Sequence, residues 1–131
     1  MLVTLCGSTR FESEFIAAGR ELSRRGVTVF SLAVLPCHRG TDEGWSDGQL
    51  DKTMADLLYY DRIERSDAVI VLGDGYIGTS TAREILWAQI RGKGIVRHLV
   101  GDAWDETLRR LRSGRWDLYI VQEARKVFGD G

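Results

Sequence analysis

The chain has one proline and two cysteines among 131 residues, and charge of neither sign prevails, with 18 Lys+Arg against 19 Asp+Glu. Two cysteines, Cys6 and Cys37, do not make a disulfide scaffold, and they read as structural thiols in a reducing compartment. A net charge of −1 argues against a protein built to grip a nucleic-acid polymer, which needs a basic surface. It leaves room for a small anion held by one or two cations. No apolar run approaches the roughly 20 residues of a membrane span. The opening residues lack the basic leader and apolar core of a secretion signal, so a cytoplasmic protein with no membrane partner is the expectation. The length is roughly that of one domain, taken as residues 1–131, and such a chain buries about two-thirds of its unfolded surface.

The chain instead holds short apolar strands alternating with amphipathic segments. Leu2–Cys6 reads as a strand, and Phe11, Phe15, Ala18 and Leu22 then recur at helical spacing up to a cap at Gly26. Val27–Val34 is a second strand. Residues 35–47, with Pro36, His38, Trp45 and Asp47, read as a loop longer than most connections. A helix follows over about Gln49–Arg65, then a buried strand at Asp67–Leu72, the turn Gly73–Gly78, a helix at Thr79–Arg91 and a strand at Gly94–Val100. The tail from Trp104 to Phe128 reads as helix broken near Gly114, with Leu118–Val121 as a possible edge strand. This order predicts an α/β fold: a doubly wound, flavodoxin- or Rossmann-like parallel sheet of 4–5 strands with helices on both faces. Ligands in such sheets lie beyond the carboxyl ends of the strands. Gly7–Arg10, the 35–47 loop and Gly73–Ser80 are therefore expected around one crevice.

Gly7, Ser8, Thr9 and Arg10 lie between strand and helix, where free N–H groups, hydroxyls and a guanidinium suit a phosphate. The alternative is that Thr9-Arg-Phe-Glu12 is only a capping box. Gly73-Asp-Gly-Tyr-Ile-Gly78 matches the dinucleotide pattern G-x-G-x-x-G, but the acidic partner that a ribose needs is poorly placed at Asp102. Glu84 lies near a helix start aimed at the crevice. Thr81-Ala-Arg-Glu84 is also a capping box, and Glu84 projects roughly 160° from the middle of an Ala82, Leu86, Ile90 stripe. Trp87 lies off that stripe, as a subunit interface would explain. Asp61 continues the Leu50, Met54, Leu57 face, a costly place for a charge unless it is paired or functional; a surface pair with Arg65 is the alternative. His38 and Trp45 can contact a base. No cluster has metal-ligand spacing.

Leu5-Cys-Gly-Ser-Thr-Arg10, Ile63–Leu72, the stretch Gly75–Ile85 reading Gly-Tyr-Ile-Gly-x-Ser-Thr-x-x-Glu-Ile, and Gly92–Ile95 together resemble the nucleoside 2-deoxyribosyltransferase-like superfamily. That superfamily includes nucleotide N-hydrolases. The resemblance spans roughly residues 3–10 and 60–97. It implies a flavodoxin-like sheet, a homodimer, no cofactor, and a small nucleotide or nucleoside as substrate. It makes Glu84 the nucleophile on the anomeric carbon. Gly7, Ser8 and Arg10 become a 5'-phosphate loop, and Gly78, Ser80 and Thr81 a second phosphate contact. Asp61 would be the second acid. The sequence departs from the family at Thr4 and Tyr59, where the hydrolases carry Tyr and a helping Asp, and at Gly78, where the transferases carry Asp. The alternatives are a transferase and a non-catalytic nucleotide-binding module; a dinucleotide enzyme built on the Gly73–Gly78 turn is a further one.

Overall fold

The computed structural model describes residues 1–31 and 49–129, with the backbone alone at Thr9 and at residues 49–56. The elements run β1 (Leu2–Cys6), a single 3-10 turn (Thr9–Phe11), α1 (Glu12–Arg24), β2 (Thr28–Phe30), α2 (Gln49–Arg65), β3 (Ala68–Gly73), α3 (Thr79–Ile90), β4 (Gly94–Leu99), α4 (Trp104–Ser113) and α5 (Leu118–Val127). The four strands form one parallel sheet in the order β2-β1-β3-β4. This is the doubly wound arrangement, and β1 and β3 lie side by side at its centre with Val3 opposite Ala68 and Cys6 opposite Val71.

Alternation along each strand divides the core in two. Val3, Leu5, Ala68, Ile70, Leu72 and Val96 face Phe15, Ala18 and Leu22 of α1 and Leu108 and Leu111 of α4. Cys6, Val69, Val71 and Ile95 face Tyr59 and Ile63 of α2, Ala82, Ile85 and Ala88 of α3, and Ile120, Val121 and Ala124 of α5. The 3.6-residue period of Phe15, Ala18 and Leu22 thus builds α1 as the sequence predicts. Leu118–Val121 is helix, not an edge strand. Asp117 caps it by accepting from Ile120 N at 3.1 Å, and Ile120, Val121 and Ala124 share its buried face. His38, Trp45 and the rest of residues 32–48 lie outside the described residues.

Near the end of β4, His98 is buried and stacks on Trp104 at 3.5 Å between centroids, with Nδ1 2.7 Å from Thr107 Oγ1. Burial pushes its pKa below the usual histidine value, Asp102 opposes this and Arg110 reinforces it. A histidine held neutral in the fold takes up a proton more readily when unfolded, so stability is full above the ordinary value of about 6.5 and falls as pH drops below it. The thermal midpoint is expected to fall as the pH drops below about 6.5, and His98→Gln to remove that part of the slope. An identical slope in the variant would contradict the assignment.

Candidate active site

The carboxyl ends of β1 and β3 are joined by close backbone packing. Gly7 has φ +151°, and a Cβ there would lie 2.9 Å from the Leu72 carbonyl oxygen. Gly73 has φ +129°, and a Cβ there would lie 2.9 Å from the Phe11 ring. Both conformations are strained for any residue with a side chain. Gly7→Ala is expected to destabilise the protein by about 1–3 kcal/mol in urea denaturation. Gly19→Ala, in the middle of α1 with nothing within 4 Å, should stabilise it by about 0.5–1 kcal/mol instead. Equal midpoints for the two variants would show that this corner tolerates a side chain.

Ser8 caps the 3-10 turn, its Oγ accepting from Arg10 N at 3.3 Å. The Thr9-to-Glu12 capping box is therefore not what starts α1, which begins at Glu12 after an uncapped Phe11. The side chain of Thr9 lies outside the described residues. Arg10 reaches across to the Gly73–Gly78 turn. Its guanidinium lies 3.7 Å from Asp74, 4.5 Å from the centre of the Tyr76 ring and 4.9 Å from that of Phe11. The two loops that the topology predicts together are thus in contact. Asp102 is occupied in its own turn, accepting from Leu99 N at 2.8 Å, and is not the ribose ligand of a dinucleotide site.

Helix α3 starts at Gly78, which has no side chain to cap it, and its first backbone bond runs from Ala82 N to Gly78 O at 2.9 Å. The N–H groups of Thr79, Ser80 and Thr81 therefore precede the helical ladder. Ser80 is exposed and Thr81 is buried. Because Thr81 is inside the helix, the Thr81-to-Glu84 capping box is not formed either.

Glu84 is only 8% exposed. The expectation that it points away from the core is corrected, because the buried face of α3 runs through Thr81, Ala82, Glu84, Ile85 and Ala88, while Ile90 is 74% exposed. Thr81 at i−3 and Ala88 at i+4 lie on the same side as Glu84. This face meets β1, where the Cys6 thiol is fully buried in the same apolar cluster as Ala82 and Ile85. Burial first, and then the nearby Glu84 carboxylate, raise the thiol pKa well above its usual range. Trp87 is half-buried, packed at 5.5 Å from the Tyr60 ring and under the Arg91 guanidinium.

Asp61 does not face the core. It is half exposed and paired with Arg65 at 3.1 Å. Among the described side chains of α2 the buried hydrophobic ones are Tyr59 and Ile63, whereas Leu57 is 55% exposed; an error of two positions turns a helix by about 200°. Sequence reasoning missed Tyr59, which is buried with its hydroxyl donating to the Leu5 carbonyl, one residue before Cys6. Its place as the residue that stands where the hydrolases carry Asp was the available signal. Among the described residues, no group of three His, Cys, Asp or Glu side chains is arranged to hold a metal, and no helix is long and apolar enough to cross a membrane. A shallow groove beside α4, lined by Arg25, Asp105, Arg109 and Arg112 among others, is separate from these residues; within it Arg25 pairs with Asp105 at 2.8 Å, and Arg109 pairs with Glu106.

The chain matches no protein-family profile and no curated protein. Among solved structures it is similar to the 2-deoxyribosyltransferase from the psychrotolerant bacterium Bacillus psychrosaccharolyticus, with 22% identity and a TM-score of 0.57 over 79% of this chain and 76% of that one. It also matches the CMP N-glycosidase BcmB from Clostridium botulinum, with 23% identity and a TM-score of 0.49 over 86% of this chain and 82% of that one. The α/β fold implied by the sequence resemblance, that of a nucleoside 2-deoxyribosyltransferase-like protein, is the fold this chain has.

Proposed function

We propose that the chain hydrolyses the N-glycosidic bond of a nucleoside 5'-monophosphate with Glu84 as nucleophile. The observation that carries this reading is a buried carboxylate on α3 against the last residue of β1. From that residue the chain continues directly into Gly7, Ser8 and Arg10. Cleavage of a glycosidic bond passes through an oxocarbenium-like sugar, and a carboxylate below the anomeric carbon bonds to it as the base leaves with the electron pair. Water then releases the sugar from the carboxylate. Gly7, Ser8 and Arg10, with the N–H groups of Thr79, Ser80 and Thr81 that follow Gly78 at the start of α3, supply the donors for the 5'-phosphate. The fold supports this reading, since a 2-deoxyribosyltransferase of similar structure acts on the same class of bond. Asp61, held in its surface pair with Arg65, takes no part in it. The protein acts in this reading as a single domain and a homodimer, without a cofactor.

The test is chromatography of a panel of nucleoside monophosphates incubated with wild-type protein and with Glu84→Ala. Free base from at least one monophosphate, absent with the variant, is the expected result. No base from any nucleotide overturns the reading. Calorimetry on the same panel separates the binding-module alternative, which gives tight binding of an intact nucleotide. Transfer of the sugar to an added second base, in place of its release, would mark a transferase.

A further inference from the structure

We infer that Tyr76 sets the length of phosphate chain the site accepts: its hydroxyl donates to a 5'-monophosphate held by Arg10, and its ring bars a second phosphate. The inference rests on the proposed site for a nucleoside 5'-monophosphate and names the residue that selects that substrate over a diphosphate.

Three contacts place the ring. The Arg10 guanidinium lies over it, 4.5 Å from its centre. Its hydroxyl end reaches the start of α3, where a Cβ on Gly78 would lie 3.3 Å from Tyr76 Oη and 3.4 Å from Cε2. A side chain at that position would crowd the ring, and glycine lets the phenol lie against the backbone. Asp74 holds the turn, its carboxylate accepting from Tyr76 N at 3.1 Å and lying 3.7 Å from Arg10. The ring therefore spans from the guanidinium of the first loop to the residue that opens α3. These are the two sets of donors assigned to one phosphate. Among the described residues, no group hydrogen-bonds to the Tyr76 hydroxyl.

A phosphate monoester has three terminal oxygens. Arg10 and the start of α3 serve two of them, and a phenol O–H between the two serves the third through a charge-assisted bond. Stacking occupies the face of the guanidinium and leaves its edge N–H groups for the phosphate. The site also runs from buried to exposed, since Glu84 is 8% exposed and Tyr76 is 54% exposed. A nucleotide with its anomeric carbon at Glu84 thus directs its phosphate outward, toward the ring. A second phosphate would have to take the space that the ring fills or push the ring off Arg10. A free nucleoside reaches neither group.

The experiment is calorimetry on the full chain in a Glu84→Gln background, which removes the proposed nucleophile. The probes are adenosine, guanosine, cytidine, uridine and thymidine, each as free nucleoside, 5'-monophosphate and 5'-diphosphate. With Tyr76 present, the best monophosphate is expected to bind at least about tenfold more tightly than its diphosphate. Tyr76→Phe, which keeps the ring, should weaken the monophosphate by about tenfold and leave the nucleoside unchanged. Tyr76→Ala should also bring the diphosphate to within about twofold of the monophosphate. An unchanged monophosphate Kd in Tyr76→Phe, or equal weakening of nucleotide and nucleoside, overturns the inference, as does an unchanged preference over diphosphate in Tyr76→Ala. Should Tyr76→Ala fail to fold, the Tyr76→Phe comparison decides alone. Base release by wild-type protein with unshifted binding removes the role of Tyr76 and keeps the hydrolase reading. The expected shifts with no base released from any nucleotide do the reverse, and no binding by any probe removes both.

Discussion

Glu84→Gln is expected to lower kcat for base release by at least about a thousandfold while leaving KM for the monophosphate nearly unchanged, because the lost interaction exists mainly in the transition state. The amide has the shape of the carboxylate, so the fold is retained. A carboxylate that is 8% exposed is an expensive group to bury. Its isosteric neutral replacement should still unfold in one cooperative urea transition. Steady-state kinetics and denaturation of the same preparation check both halves. Lost activity with an equal loss of stability would point to a structural role for Glu84.

Arg10→Ala is expected to raise KM for the monophosphate by about 10–100-fold and to leave the corresponding nucleoside unaffected, since hydrogen bonds to charged groups contribute about 1.5–3 kcal/mol. The guanidinium is half exposed and its distance to Asp74 is 3.7 Å, a loose pair of the kind that contributes little. Turning from Asp74 to a phosphate thus costs little, and the rings of Tyr76 and Phe11 hold the guanidinium plane in place. Asp74→Asn should lower KM for the monophosphate by removing the competing anion. Equal losses for nucleotide and nucleoside in Arg10→Ala would move Arg10 away from the phosphate.

The sheet was legible in the sequence because each strand is a short apolar run bounded by glycine or charge, and because Phe15, Ala18 and Leu22 allow one helical phase only. The first loop and the Gly73–Gly78 turn were legible as neighbours because parallel topology leaves few other arrangements. Helix phase on the second face of the sheet was not. Helices α2 and α3 carry exposed Leu57, Leu58 and Ile90 as well as buried Tyr59, Ile63, Ile85 and Ala88, so apolar residues lie all round them and period alone misassigns the stripe. That ambiguity turned Glu84 outward and Asp61 inward, the reverse of what the packing gives. The capping-box pattern matched twice, at Thr9 and Thr81, but Ser8 and Gly78 hold the cap positions. Cys6 ends β1 and Glu84 lies on the buried face of α3, far apart in sequence, and no local pattern encodes their nearness.

Intact-protein mass spectrometry, on reaction quenched during turnover of a cleavable monophosphate with a 2'-fluorine to slow the second step, addresses the nucleophile directly. The account predicts that wild-type protein gains the mass of one sugar phosphate, that the adduct maps to the peptide carrying Glu84, and that Glu84→Gln gains nothing. Base release with no adduct on wild-type protein, or an adduct on another residue, would contradict it.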